Sequence, residues 1–280
     1  MAHAIERHGF SKRKSCRLVG LATSTAHYKS IRTRSDEPVQ AAIASVVELK
    51  PYAGLPRVVE ALRDRMGFQD NHKRIARIYR TMNLQIGRRK SKRRMRPRLA
   101  MSTPTAPNEI WAMDFVLDSF ACGRRFRCLN VKDLFTHEAV LIEVSRSITG
   151  DDVARVLDEV AKVRGYPKGI VCDNGTEFTS IAMDKWSFGR GVELKFIQPG
   201  KPIQNAFIES FNAIFRMECL NRHWFEDLFE ARQTIEAWRI EYNTDRTQKR
   251  LGKITPIEFA RRYQDLLAEN HQTTRLQVVQ

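Results

Sequence analysis

No run of about eighteen apolar residues occurs anywhere in the sequence, so no membrane-spanning helix is expected. The opening residues, MAHAIERHGFSKRK, hold no apolar core ahead of a small-residue cleavage site, so secretion is not expected either. Cysteine is scarce: the five residues Cys16, Cys122, Cys128, Cys172 and Cys219 are odd in number, and none forms a CxxC pair. That pattern offers neither a disulfide framework nor a zinc site, and it fits reduced thiols in a cytoplasmic protein.

Charge is present in quantity and is unevenly spread. Residues 1–100 hold 24 Lys and Arg against 7 Asp and Glu, whereas the other 180 residues hold 24 against 25. A generic solubility surface would distribute its charge along the chain. A positive field confined to one end points to a polyanion gripped by that end, with nucleic acid the leading candidate. The apolar share, 42%, is enough for at least one sizeable core, and 280 residues suggest more than one domain.

The basic third reads as helices. Ser11 is placed to cap a helix over Lys12–Leu18, Gly20 to break it, and Ser24 to cap another helix from about Thr25. Leu18, Val19 and Leu21 fall at the turn between them, as expected of two helices that meet at a steep angle. Further helices are expected over about 38–50, 56–66 and 72–82, the last capped by Asn71. In that last helix Ile75, Ile78 and Tyr79 form an apolar stripe flanked by Lys73, Arg74, Arg77 and Arg80. Arg74 and Arg77 are therefore candidate DNA contacts.

Residues 88–98, RRKSKRRMRPR, place eight basic residues among eleven. Such a block repels itself and buries no core, so an extended linker is expected. Arg88, Arg89, Lys90, Lys92, Arg93 and Arg94 are suited to phosphates rather than base edges. Beyond Pro104 and Pro107 the pattern turns to strands. Glu109–Val116, Arg125–Val131 and Ala139–Val144 read as an antiparallel meander, with Cys122-Gly123 at one turn. Thr149 and Asp152 have capping-box spacing for a helix ending at Gly165, and Ile170–Cys172 is a short buried strand. A further helix, a strand over Val192–Ile197, and helices over about 204–220 and 227–243 complete the pattern. The expectation is an α/β core with a mixed sheet and helices on both faces, compatible with an RNase H-like fold, behind all-α helix-turn-helix domains.

Three carboxylates stand where pattern alone favours something else. Asp114 lies inside the apolar strand IWAMDFV, Asp173 follows the buried run GIVC, and Glu209 opens an apolar-rich helix in QNAFIESFN. Each has an ordinary alternative: an edge-strand residue, the turn Asp173-Asn174-Gly175, or an exposed helix position. If they converge, however, they offer the oxygen ligands that Mg²⁺ takes, and burying them unpaired would cost several kcal/mol.

Thirty-five residues separate Asp173 from Glu209, and Arg216 follows seven later, two turns along one helix face. This resembles the DD(35)E pattern of retroviral integrases and many bacterial transposases. The stretches WAMDFV, VCDNGTEF, FIQPGKPIQNAFIESFNAIFRMECLNRHWF and YNTDRTQKRLGKITPIEF are similar to the OrfB transposase of the IS3 insertion-sequence family, over residues of about 5 to 262. Thr247-Gln248 stands where that family usually has Pro-His, Leu134 where Asp is common, Ala213 where Gly is common, and Met217 where an acid is common. No His-His-Cys-Cys set like that of retroviral integrase appears among His3, His8, His27 and Cys16.

The resemblance implies a helix-turn-helix over 1–35, a second, HTH_21-like DNA-binding domain over 36–87, a basic linker over 88–106, an RNase H-like catalytic core over 107–265 and a C-terminal tail over 266–280. It further implies two Mg²⁺ ions, replaceable by Mn²⁺ and about 3.5–4 Å apart, held by Asp114, Asp173 and Glu209. DNA cleavage at the element ends and strand transfer into a target would follow. Lys201, Gln204, Asn205 and Arg216 would contact DNA. The implied partners are the terminal inverted repeats, target DNA, further copies of the chain on DNA, and an upstream-frame OrfA region joined by frameshifting. The implied setting is the bacterial cytoplasm, associated with the nucleoid. Two other readings remain open from the residues: a DNA-binding regulator with an inactive core, and an RNase H-like nuclease that cuts without joining.

Overall fold

The computed structural model describes residues 6–7, 9–27, 35–86, 104–197 and 206–278, with side chains as far as residue 268. Two compact units, Met1–Ser91 and Lys92–Gln280, divide within the basic stretch expected to be a linker.

In the first unit, Ser11 accepts a hydrogen bond from Lys14 N (3.3 Å) and caps helix α1 (Lys12–Leu18), and Gly20 follows at φ +66°. Helix α2 (Thr23–His27) begins earlier than the expected Ser24 cap allows, because the Ala22 carbonyl already accepts from Ala26 N (3.1 Å). Leu18, Val19 and Leu21 do not form a core; all three are exposed, and α1 buries Ser15 and Cys16 instead. Helices of seven and five residues are too short to share a wide apolar face. The next three helices do share one. α3 (Glu37–Leu49), α4 (Leu55–Asp64) and α5 (His72–Thr81) enclose Val39, Ile43, Val58, Leu62, Ile75 and Ile78, each buried at helical spacing. Asn71 caps α5 as expected, accepting from Lys73 N at 2.9 Å.

In the second unit, strands β1 (Ile110–Ser119), β2 (Arg125–Asp133), β3 (Ala139–Ser145), β4 (Gly169–Cys172) and β5 (Glu193–Phe196) form one sheet in the order β3-β2-β1-β4-β5. The first three are antiparallel, while β1–β4 and β4–β5 are parallel. Side chains alternate across the sheet, and β1 shows how. Trp111 and Met113 face Val153 and Leu157 of α6 (Gly150–Arg164) and Met183 and Trp186 of α7 (Ile181–Arg190). Ile110, Ala112 and Val116 face Ile208, Phe211 and Phe215 of α8 (Ala206–Glu218) and Ile235 and Trp238 of α9 (Leu228–Thr244). Position 114 therefore belongs to the α8 face.

Helix α6 opens on the capping box read from the sequence. Thr149 Oγ1 accepts from Asp152 N, and the Asp152 carboxylate accepts from Thr149 N (2.9 Å). Thr149→Ala is expected to destabilise the core by about 1 kcal/mol in chemical denaturation, with no change in the unfolding slope. Helix α10 (Pro256–Val278) runs without a break through the expected boundary at 265/266, so the described end of the chain prolongs a helix that starts in the core. Phe259 and Tyr263 anchor its first turns against Phe135. Among the described residues, no helix is long and apolar enough to cross a membrane.

Candidate active site

Asp114 and Asp173 come level through strand register. Ile110, Trp111 and Ala112 of β1 lie beside Gly169, Ile170 and Val171 of β4, so two more residues along each chain place Asp114 beside Asp173. Adjacent strands are about 4.8 Å apart, which makes the two backbones close neighbours there. Asp173 follows the last residue of β4, and its Oδ1 accepts from Gly175 N at 2.9 Å in an Asx turn. A Cβ on Gly175 would lie 3.0 Å from that oxygen, so the turn favours glycine. Asn174 Nδ2 donates to Ile197 O at 2.9 Å and ties the same turn to the end of β5.

Helix α8 brings the third carboxylate. Glu209, Asn212 and Arg216 share one helix face, three and seven residues apart. Asn212 Nδ2 donates to Asp114 Oδ2 (2.7 Å), and Arg216 Nη2 donates to Leu117 O (2.6 Å). The helix is thus pinned along β1 at two points, with exposed Glu209 one turn ahead of the Asn212 contact. Behind it, Asn130, the register partner of Asp114 on β2, donates from Nδ2 to Asn212 Oδ1 at 2.7 Å.

The charges of Asp173 and Glu209 are felt at Asp114. The Asp114 carboxyl is pushed up to about 6, first by burial and then by the negative charges of Asp173 and Glu209. The Phe115 N–H, which donates to Asp114 Oδ1 at 2.8 Å, and the Asn212 amide act in the opposite direction. Among the described residues, no three His, Cys, Asp or Glu side chains close into a ready ligand cage. Mg²⁺ seldom uses such a cage; it keeps waters and substrate phosphates and takes one or two carboxylates from the protein. An open set of oxygen donors crowding one another's charge fits that ion.

Residues 104–202 match a family model described as Integrase core domain, residues 190–256 match a second of the same description, and residues 34–93 match an HTH-like domain. The chain is 46% identical over 259 residues to the insertion element IS407 uncharacterized 31.7 kDa protein of Burkholderia multivorans, covering 92% of this chain and 93% of that one. It is 40% identical over 267 residues to the insertion element IS476 uncharacterized 39.2 kDa protein of Xanthomonas euvesicatoria, covering 95% and 77%. The chain belongs to the IS3 family of insertion-sequence transposases. Its fold is that of an integrase core. It is similar to a chain of the simian T-cell lymphotropic virus intasome in complex with PP2A regulatory subunit B56 gamma, with a TM-score of 0.52 at 14% identity, covering 78% of this chain and 74% of that one.

The remaining candidate residues of this transposase-family chain have different surroundings. Arg74 is held within its own unit: it pairs with Asp36 (3.1 Å) and Asp70 (2.7 Å) and donates to Ser35 O. Arg77 also pairs with Asp36 (2.8 Å) but remains exposed, as do Lys73 and Arg80. The two arginines beside Asp36 hold its carboxyl below the usual range, Arg77 most strongly. Arg216 binds the β1 backbone, as described above. Arg88, Arg89, Lys90, Lys92, Arg93, Arg94, Lys201, Gln204 and Asn205 lie outside the described residues.

Two site residues escaped the sequence reading. Asn212 carries a signal in retrospect, since it lies three residues after Glu209 on the same face. Asn130 carries a weaker one, an amide in the middle of an apolar strand.

Proposed function

We propose that the chain cuts the ends of its insertion element and joins them to target DNA, with Asp114, Asp173 and Glu209 as the catalytic carboxylates. The observation that supports this reading is the strand register that sets Asp114 beside Asp173, together with the Asn212–Asp114 hydrogen bond that brings the first turn of α8, and Glu209 with it, to the same end of the sheet. The three would hold Mg²⁺, or Mn²⁺ in its place, as a pair of ions. Such ions supply charge stabilisation for the attacking and leaving oxygens of an in-line displacement at phosphorus. The chain's own contribution is placement. Asn212 and the Phe115 N–H fix both oxygens of Asp114, the Asx turn fixes Asp173, and the α8–β1 contacts set the reach of Glu209. Bringing two element ends together calls for more than one copy of the chain on DNA, and a frameshifted OrfA segment is the proposed upstream partner.

The test is an assay on labelled DNA carrying the element ends, with Mg²⁺ and with a chelator. Joined product that vanishes on chelation supports the proposal. Cut ends without joining would favour a nuclease, and metal-independent binding without cutting would favour a regulator.

Metal binding has a second, structural readout. Without metal, Asp114 takes up a proton in the folded chain at a pH where the unfolded chain has already lost it. The folded state therefore binds more protons between about pH 4 and about pH 6, and the contribution of this group to stability falls as pH rises through that window. A divalent cation favours the ionised form. Mg²⁺ at ten times its dissociation constant is expected to stabilise the chain by about 1.4 kcal/mol above pH 6, raising the melting temperature by a few degrees. The increment should shrink below about pH 6 and be absent in Asp114→Asn at every pH. An increment that is the same in wild type and variant would remove Asp114 from the metal site.

A further inference from the structure

Lys132 is 5% exposed, on β2 directly opposite Ala112 of β1. Two residues away on the same face, Asn130 stands opposite Asp114. Two residues of strand span about 7 Å, so Lys132 lies beside the carboxylate site on the sheet face that α8 covers. Its ammonium is 5.6 Å from the ring centre of Phe211 on α8, and one turn earlier the guanidinium of Arg250 lies 5.2 Å from the ring centre of Phe207. His137, five residues after Lys132, is half-buried in the β2–β3 turn at φ +61°.

These three basic residues work against one another. The Lys132 ammonium is lowered to about 8, first by burial and then by the charge of Arg250, while the negative charge of Asp133 acts in the opposite direction. Burial also pushes the His137 imidazole down to about 3, with Lys132 and Arg250 adding to the effect. The nearby acids are engaged elsewhere. Fully buried Asp133 accepts from Asn108 N, Phe135 N and Thr136 N, Glu138 pairs with Arg164, and Glu218 pairs with Arg246. Among the described residues no carboxylate pairs with Lys132. A buried cation facing other cations is unfavourable unless an anion joins them. A tetrahedral oxyanion can accept from an ammonium, a guanidinium and an imidazole N–H at once.

We propose that Lys132, His137 and Arg250 form a phosphate-binding site that holds the backbone of a DNA strand lying across the three carboxylates. The proposal rests on the strand-transfer reading for its choice of DNA as the source of the phosphate. Exposed Arg250 meets the strand first, while Lys132 and the two phenyl rings give the phosphate a partly desolvated seat. About 7 Å along the sheet is roughly two nucleotide rises of a duplex, close enough for one strand to reach both places.

The experiment measures duplex binding by the full chain without divalent metal, as log affinity against log salt, for wild type, Lys132→Met and Arg250→Gln. Each variant should lower the slope by about 0.9, so that raising salt from about 50 to about 200 mM weakens its binding by about threefold less than it weakens wild type. Lys132→Met should also melt higher than wild type, because it removes a buried ammonium that has no ion-pair partner among the described residues. Arg250→Gln changes only an exposed side chain and guards against a folding artefact. Unchanged slopes in both variants overturn the proposal. So would inorganic phosphate that raises the melting temperature of wild type but not of the variants while both DNA slopes stay put, since the site would then serve free phosphate. Because binding is read without metal, a chain that binds this way and never joins DNA would defeat the strand-transfer reading alone.

Discussion

Replacing Glu209 by Gln is expected to leave the chain folded and to lower Mg²⁺-dependent joining by about 10³-fold, equivalent to about 4 kcal/mol in the barrier. Glu209 is exposed in the first turn of α8, where a carboxylate is favoured by the helix dipole but not required by any core contact. Gln keeps the shape and one carbonyl acceptor and removes the negative charge that a hard cation needs. The same substitution has a readout independent of catalysis. The Glu209 charge is one of the causes that raise the Asp114 carboxyl to about 6, so Glu209→Gln should lower the Asp114 midpoint in a metal-free NMR titration. Joining that persists in the variant would remove Glu209 from the chemistry. An unmoved Asp114 midpoint would mean that the two carboxylates do not share a site.

What the sequence revealed was mostly local. Caps are side chains bonding to backbone two or three residues away, so Ser11, Asn71 and the Thr149–Asp152 box could be read before any fold was known. The three carboxylates stood out as candidates because a charge inside an apolar run is conspicuous, and because their spacing resembles a known pattern. What escaped depends on partners distant in sequence. Arg74 reads as a phosphate contact on a basic helix face, and no local pattern shows that Asp36, 38 residues away, also bonds to it. Asn130 and Asn212 become a relay to Asp114 only when β2 and α8 meet, 82 residues apart. Leu18, Val19 and Leu21 looked like the meeting point of two steeply packed helices because nothing local states how much surface two short helices can cover.

Gly150→Ala is expected to destabilise the catalytic core by about 3 kcal/mol and to reduce joining beyond what the lost folded fraction explains. Gly150 is the first residue of α6, buried against the segment that leads from Asp173 into α7. An added Cβ would lie 2.0 Å from Ser180 Oγ, 2.8 Å from Ser180 Cβ and 2.9 Å from Glu177 O. Turning the Ser180 hydroxyl aside relieves only the first contact, and that hydroxyl is already in use. It accepts from Met183 N to cap α7 (3.3 Å) and donates to Glu177 O (2.8 Å). Losing the cap alone is worth about 1 kcal/mol. The other two contacts require backbone to move in residues 177–180.

That movement has a short route to the site. Phe178 N and Thr179 N both donate to Gly175 O at 3.0 Å, and Gly175 N holds the Asp173 carboxylate. On the opposite sheet face, Glu177 pairs with Arg127, whose guanidinium lies over Phe115, the residue that follows Asp114. A shift at Ser180 is therefore expected to reach Asp173 through the turn and Asp114 through its neighbour. Denaturant unfolding of the core should give the stability loss, and joining measured under conditions where the variant is folded should isolate the effect on the site. Adding Ser180→Gly removes two of the three clashes and leaves Glu177 O, so it should restore part of the stability but not the α7 cap. A Gly150→Ala chain within about 0.5 kcal/mol of wild type would show that this joint yields more easily than its contacts indicate, and that Asp173 is not positioned through it.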